Sequence, residues 1–183
     1  DYLDFSMATD GLLTEREQGI TIDVAHIYFS TPKRSYIIAD TPGHIEYPRN
    51  MVTGTSTSQV SSILIDARNG VVEQTRRHFF INNILRTQEL IIAVNKMDLI
   101  DYEEEKFYSI CQEVKAMLET AEFKDQTLHY MPISALKGDN IAEPSENMPW
   151  YKEETLLDIL ENIHIGEDSK EEPARFNVQN IIR

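Results

Sequence analysis

Cysteine is almost absent: Cys111 is the single one in 183 residues. One thiol can close no intrachain disulfide and build no thiolate metal cluster, a usage that suits a reducing compartment. Glycine is scarce too, at 7 residues, about half of the usual share of roughly 7%. No Gly-x-x-x-x-Gly-Lys-Ser/Thr run occurs anywhere. These residues therefore lack the glycine-rich cradle that wraps phosphates, together with its lysine and its hydroxyl. Every apolar run falls far short of the roughly 18 residues that a membrane helix needs. The N-terminus also lacks the basic-then-apolar layout of a signal peptide. Positive charge is in deficit, with Lys plus Arg at 17 against Asp plus Glu at 31, a net −14. That balance argues against nonspecific binding to nucleic acid or to an anionic membrane, since both are polyanions. It leaves room for a local phosphate site, where backbone N–H groups and a cation or two suffice.

What is present is a globular balance, 41% hydrophobic and 26% charged, in a length that suits one ordinary domain. A soluble cytoplasmic domain is the expectation. Asp1 in place of methionine adds the expectation that the chain belongs to a longer product. Strand and helix patterns alternate. Residues 24–29 read as a strand, broken by Thr31-Pro32-Lys33-Arg34, with 35–39 as its hairpin partner. Residues 61–65 and 90–94 are short runs rich in Ile and Val, the look of strands buried on both faces, and 128–133 is a weaker case. Helix patterns cover 48–56, 73–86 and 103–122. In the last, Phe107, Ile110, Cys111, Val114, Met117 and Leu118 form one apolar stripe, which makes Cys111 a small buried hydrophobe. Glu103-Glu104-Glu105 supplies the negative charge that suits its first turn. Residues 155–163 close the series as a helix with Thr155 as its cap. This alternation predicts an α/β fold, a doubly wound and mostly parallel sheet flanked by helices.

In such a sheet, ligands bind at the carboxyl ends of the strands. Residues 35–39 run into Asp40-Thr41-Pro42-Gly43-His44, 90–94 into Asn95-Lys96-Met97-Asp98, and 128–133 into Ser134-Ala135-Leu136. Before the first strand stands Glu15-Arg16-Glu17-Gln18-Gly19-Ile20-Thr21-Ile22. Singly, each is weak. Asp40 or Asp98 alone reads as a loop acid capping a helix, and His44 alone as a surface histidine. All four in this order, each at a strand end or in a loop, make a strong signal. His26, His129 and His164 have no ligand-spaced partner, and Trp150 and Tyr151 read as packing groups.

The set resembles the G domain of the translation-factor class of P-loop GTPases. Asn50-Met51-Val52-Thr53-Gly54, Gly138-Asp139-Asn140 and Asn147-Met148-Pro149-Trp150 are similar to the archaeal and eukaryotic elongation factor that delivers aminoacyl-tRNA. Other stretches point elsewhere within the class. Gln74-Thr75-Arg76-Arg77-His78 follows Asp66-Ala67-Arg68-Asn69-Gly70 without that factor's insertion, and Ser134-Ala135-Leu136 replaces its Ser-Gly. With Asp10-Gly11-Leu12 and the run from Arg16 to Ala25, these resemble the GTP-binding large subunit (subunit 1) of bacterial sulfate adenylyltransferase. The resemblance covers residues 4–183.

It implies a GTPase that binds GTP and Mg²⁺ and couples hydrolysis to synthesis of adenosine 5′-phosphosulfate from ATP and sulfate. The partner it implies is a small catalytic (ATP sulfurylase) subunit, in a heterodimer or larger; no membrane or nucleic acid is expected. Asp98 would accept from guanine N1–H and the exocyclic amine, Asn95 would hold the loop, and the Lys96 stem would cover a base face. Met97 and Leu136 belong to the same loops. Ser134 would support Asp98, and the Ala135 N–H would meet guanine O6. Asp40 and Thr21 would hold the metal, Thr21 letting go after hydrolysis. In the Asp40-Thr41-Pro42-Gly43 loop the Gly43 N–H would meet the γ-phosphate, and His44 would orient the attacking water. The missing phosphate loop and the strand before it, placed upstream in the family, are the main departure; Pro48 is a smaller one, harmless in a first helical turn. Residues 1–165 are accordingly expected to form a partial G domain, 166–175 a linker and 176–183 the start of a second, β-type domain. Residues 1–183 alone should be inactive as a GTPase. The other reading is a translation-type switch that delivers aminoacyl-tRNA.

Overall fold

The computed structural model describes residues 21–43 and 47–166. His44, nearly all of the expected linker and the expected strand after it lie outside the described residues. Strands β1 (Ala25–Ser30) and β2 (Ser35–Asp40) form an antiparallel hairpin. Its turn is closed by the Thr31 N–H donating to the Arg34 carbonyl at 2.8 Å. The Thr31 hydroxyl oxygen meanwhile accepts from the N–H groups of Lys33 and Arg34. Pro32 presets the backbone for such a turn.

Strands β3 (Val60–Asp66), β4 (Glu89–Asn95) and β5 (Thr127–Pro132) form a parallel sheet in that order. Parallel neighbours need crossovers, supplied here by helices α2 (Glu73–Ile84) and α3 (Glu104–Thr120). Helix α1 (Pro48–Thr57) precedes β3, with its proline in the first turn where a missing N–H costs little. Helix α4 (Leu156–Asn162) begins on Thr155, whose hydroxyl accepts from the Asp158 N–H while the Asp158 carboxylate accepts from the Thr155 N–H. That reciprocal pair is a capping box. The α/β class therefore holds, with a parallel sheet flanked by helices. Among the described residues no helix is long and apolar enough to cross a membrane.

The core centres on β4, where Leu90 to Val94 are each 2% exposed or less. Helix α3 packs Phe107, Ile110, Val114 and Met117 against it. Cys111 and Leu118, expected on the same stripe, are half-buried at its edge. Burial pushes the Cys111 thiol up to about 12, so it stays protonated and unreactive at neutral pH. Trp150 and Tyr151 pack on Phe107 with ring centroids 5.5 and 6.1 Å away, as packing groups should.

The expected single sheet is realised in two pieces. Among the described residues β2 and β3 pair with different partners and not with each other. Ile37 on β2 is 65% exposed and Leu64 on β3 is 62% exposed. The reading of 61–65 as buried on both faces is thus right for one face: Ile63 and Ile65 are covered, Ser62 and Leu64 are not. Faces are covered by elements packed above and below a sheet, and among the described residues nothing covers the Leu64 face of β3, which is also an edge of its sheet. Bare strand rims beside exposed apolar side chains template association. Residues 1–183 alone are expected to form concentration-dependent oligomers in light scattering; a monodisperse monomer at every concentration would contradict this.

The hairpin is nonetheless anchored. Arg34 Nη1 donates to the carbonyls of Leu160 and Ile163 at 3.0 Å each, and Lys33 pairs with Glu161 at 2.7 Å. At its other end, β2 runs close under α1. Gly54 is buried there, and a Cβ on it would collide with Thr41 Cγ2. Glycine costs a helix about 1 kcal/mol relative to alanine, so its presence mid-helix reflects this close approach. Gly54→Ala should therefore lower stability by about 1–3 kcal/mol in urea unfolding, despite the propensity gain. Adding Thr41→Ser, which removes the methyl, should restore most of the loss. A Gly54→Ala protein as stable as the original would show that the helix can draw back freely.

Candidate functional site

Parallel strands bring their carboxyl ends to one side, and there the loops after β4 and β5 are bound to each other. The Asn95 side-chain oxygen accepts from the Lys96 N–H at 2.7 Å and from the Ala135 N–H at 3.0 Å. The Ser134 hydroxyl donates to Asp98 Oδ1 at 2.7 Å. Below them the backbone continues the ladder: Ala67 N–H reaches the Asn95 carbonyl at 2.9 Å, and Met97 N–H reaches the Ile133 carbonyl at 3.2 Å. Ser134 is fully buried and Asp98 half-buried, while Lys96, Ala135 and Leu136 are exposed. The residues singled out in these two loops are thus brought together. Met97 differs from the others. Its side chain is fully buried in the core and anchors the short 3₁₀ turn Met97–Ile100, which the sequence pattern did not predict.

Lys96 adopts φ 64°, in the left-handed region. A non-glycine residue there is strained, and such strain is held where the surroundings over-determine it. The Asn95 oxygen holds one end of Lys96, and its ammonium meets Asp66 Oδ2 at 2.9 Å. Asp66 ends β3 in register with Asn95. Its carboxylate also accepts from Arg68, at 3.0 Å from N–H, 3.0 Å from Nε and 2.6 Å from Nη2. The Arg68 fork above all, and Lys96 after it, hold the Asp66 carboxyl well below the usual carboxylate range, against the push of partial burial.

Asp139 and Asn140, quoted above only for their likeness to the family, build the outer wall with Tyr102 and Ser145. Tyr102 OH donates to Asp139 Oδ2 at 3.0 Å, and Ser145 OH donates to Asp139 Oδ1 at 2.6 Å. Asn140, buried, donates to the Pro132 carbonyl at 2.9 Å and accepts from the Ser145 N–H at 2.7 Å. These bonds brace the loop that presents Ser134 and Ala135.

On the hairpin side, Asp40 closes β2 opposite Ala25, followed by Thr41, buried Pro42 and Gly43. The Gln74 side chain donates to the Gly43 carbonyl. His78 lies beside it, its ring carbon 3.8 Å from where a Gly43 Cβ would stand. Burial pushes the His78 pKa below its ordinary value, with the Gly43 contact opposing. Sequence reasoning missed Asp66, Arg68, Gln74 and His78 as site residues. Position at the end of a strand beside Asn95 was the available signal for Asp66. The expected metal ligands, Thr21 and Asp40, offer a hydroxyl and a carboxylate. Among the described residues no group of three or more His, Cys, Asp or Glu could hold a metal ion alone. That donor chemistry fits magnesium, which keeps several waters and binds by one or two protein groups plus substrate phosphates. His129 is engaged elsewhere, with Nε2 2.8 Å from Glu89.

The family described as "Elongation factor Tu GTP binding domain" matches residues 3–164. The bifunctional enzyme CysN/CysC of Mycobacterium tuberculosis is 52% identical over 183 residues, which is 100% of this chain and 30% of that protein. Sulfate adenylyltransferase subunit 1 of Cronobacter sakazakii is 52% identical over 181 residues, 99% of this chain and 38% of that protein. The chain spans between 28% and 38% of the length of such curated relatives. Among solved structures, bacterial selenocysteine-specific elongation factor EF-Sec matches with a TM-score of 0.61 and 26% identity, over 71% of this chain and 22% of that one. Sup35 complexed with GMPPNP matches with a TM-score of 0.62 and 25% identity, over 77% of this chain and 35% of that one.

Proposed function

Because the chain belongs to the elongation factor Tu GTP-binding domain family, we propose that its strand ends bind GTP and that hydrolysis there drives sulfate activation within a longer protein. The observation that carries the reading is the joined pair of loops, Asn95 to Ala135 and Asp98 to Ser134. It holds the Asp98 carboxylate at the strand ends through Ser134, and the relatives half identical to this chain support the sulfate part. In this reading residues 1–165 are a partial G domain, 166–175 a linker and 176–183 the start of a second, β-type domain. The setting is the cytoplasm, and the partner is a small ATP sulfurylase subunit.

Asp98 reads the base by accepting from N1–H and the exocyclic amine of guanine; adenine offers neither at that place. Guanine O6 competes with the Asn95 oxygen for the Ala135 N–H. The Lys96 stem covers a face of the base. Magnesium, when bound, neutralises phosphate charge. Asp40 and Thr21 would hold it, Thr21 only while triphosphate is bound. The Gly43 N–H meets the γ-phosphate, with its carbonyl restrained by Gln74, and His44 orients the attacking water.

The experiment is pyrophosphate release from ATP and sulfate by the full-length protein with its small subunit, with and without GTP. GTP should raise the yield and be hydrolysed in step. Indifference to GTP, with hydrolysis answering instead to ribosomes and aminoacyl-tRNA, would replace this reading with a translation switch.

A further inference from the structure

The base-reading loops account for Asn95, Asp98, Ser134 and Ala135, but not for the ion pairs on Asp66. We infer that Asp66, locked by Arg68, is a positioning residue that tethers the Lys96 ammonium so that the lysine stem lies as a fixed platform under the nucleotide base. The inference rests on the base-loop reading above and adds to it a residue from a neighbouring strand.

The geometry is specific. Asp66 and Asn95 are register partners on adjacent parallel strands, so Lys96 starts one residue beyond the same rung. Its left-handed backbone turns the chain at that point. The ammonium then meets Asp66 Oδ2 at 2.9 Å, so the stem spans from the end of β4 to the end of β3. Arg68 makes this tether directional. It occupies Asp66 Oδ1 from both its N–H and its Nε, and touches Oδ2 through Nη2, so the carboxylate cannot swivel. The Asp66 side chain is only 19% exposed, whereas Lys96 is 48% exposed. An untethered lysine at that exposure would sample many rotamers, and in a chain with net charge −14 it has many other carboxylates to visit. Fixing it before the ligand arrives removes that ordering cost from binding.

A platform touches the face of the base and not its edge. Its loss should therefore weaken guanine and xanthine nucleotides by the same factor, unlike a change at Asp98. The test is displacement of fluorescent GDP from the full-length protein. Asp66→Asn, which keeps the shape and loses the charge, and Lys96→Met, which keeps an apolar stem and loses the ammonium, should each weaken GDP roughly three- to tenfold. The double variant should bind no more weakly than either single one, because both remove the same tether. Asp66→Glu should recover most of the affinity. In an Asp98→Asn background, Asp66→Asn should cost XDP the same factor as it costs GDP in the original protein. Wild-type affinity in Asp66→Asn or Lys96→Met overturns the inference. So do losses that multiply in the double variant, or a loss confined to one base. Lys96 is half-exposed and its replacement leaves the core untouched, so Lys96→Met decides the matter even if Asp66→Asn does not accumulate. Failure of the base-loop reading looks different: Asp98→Asn would then leave base preference unchanged.

Discussion

Asp98→Asn in the full-length protein is expected to weaken GTP by at least about 10²-fold, while XTP gains affinity. Guanine presents two donors to this residue, and a carboxylate accepts both. An amide can accept one and must donate with its other end, which faces the guanine amine donor to donor. Xanthine carries a carbonyl at that place and accepts the new N–H. The Ser134 hydroxyl at 2.7 Å from Oδ1 fixes which end of the amide does which. A hydroxyl proton already committed to Oδ1 favours the orientation that leaves the amide nitrogen toward the base. Competition between GTP and XTP for the same site is the measurement. Undiminished GTP affinity with no gain for XTP would remove Asp98 from the site.

His44→Ala is expected to slow single-turnover GTP hydrolysis by roughly 10²-fold or more while leaving nucleotide affinity nearly intact. The expectation comes from the place of His44 directly after Asp40-Thr41-Pro42-Gly43. It gains a physical frame from what holds that turn. Gly43, the residue directly before His44 in sequence, is restrained through its carbonyl by Gln74. A nearby histidine provides the contrast. His78 is half-buried with its pKa pushed down by burial, so it stays neutral and acts as packing for the same turn. Positioning of water is made only on the way to the transition state, which is why the rate should fall without a matching loss of binding. Hydrolysis at the original rate would return His44 to the role of a surface histidine.

Which features were legible in the sequence follows from how local their causes are. The hairpin was readable because Thr31 to Arg34 contains its own turn chemistry, and β4 because an unbroken run of Leu, Ile, Ala and Val fits only a buried strand. Helix α4 was legible from its apolar pattern and from Thr155 as a cap, while the Asp158 half of the capping box came only with the structure. The loops of the site were readable because their short motifs stand in order at the ends of readable strands. Features with partners far along the chain were not. Asp66 and Lys96 are 30 residues apart, and Gln74 and Gly43 are 31 apart. Nothing in the neighbourhood of either residue names its partner. Met97 misled for a related reason: its motif places it among ligand-binding residues, while the short turn that follows rotates its side chain into the core. The open face of β3 was illegible because alternation shows which side chains are apolar, not whether anything arrives to cover them.

The division of the sheet has a consequence for how nucleotide states are told apart. Under the roles proposed above, every group that identifies the base stands on the three-stranded side, and the groups that sense the terminal phosphate are Asp40 and Gly43 at the hairpin's end, with Thr21 ahead of β1. GTP and GDP are identical where they meet the first side. Its contribution to binding is then a constant that cancels from the ratio of the two affinities. Within residues 21–166, discrimination between the two nucleotides falls to the hairpin side, where Gln74 restrains the Gly43 carbonyl. The base-reading half acts as a handle that keeps its grip throughout the cycle, and the hairpin half as the part that registers what the handle is holding.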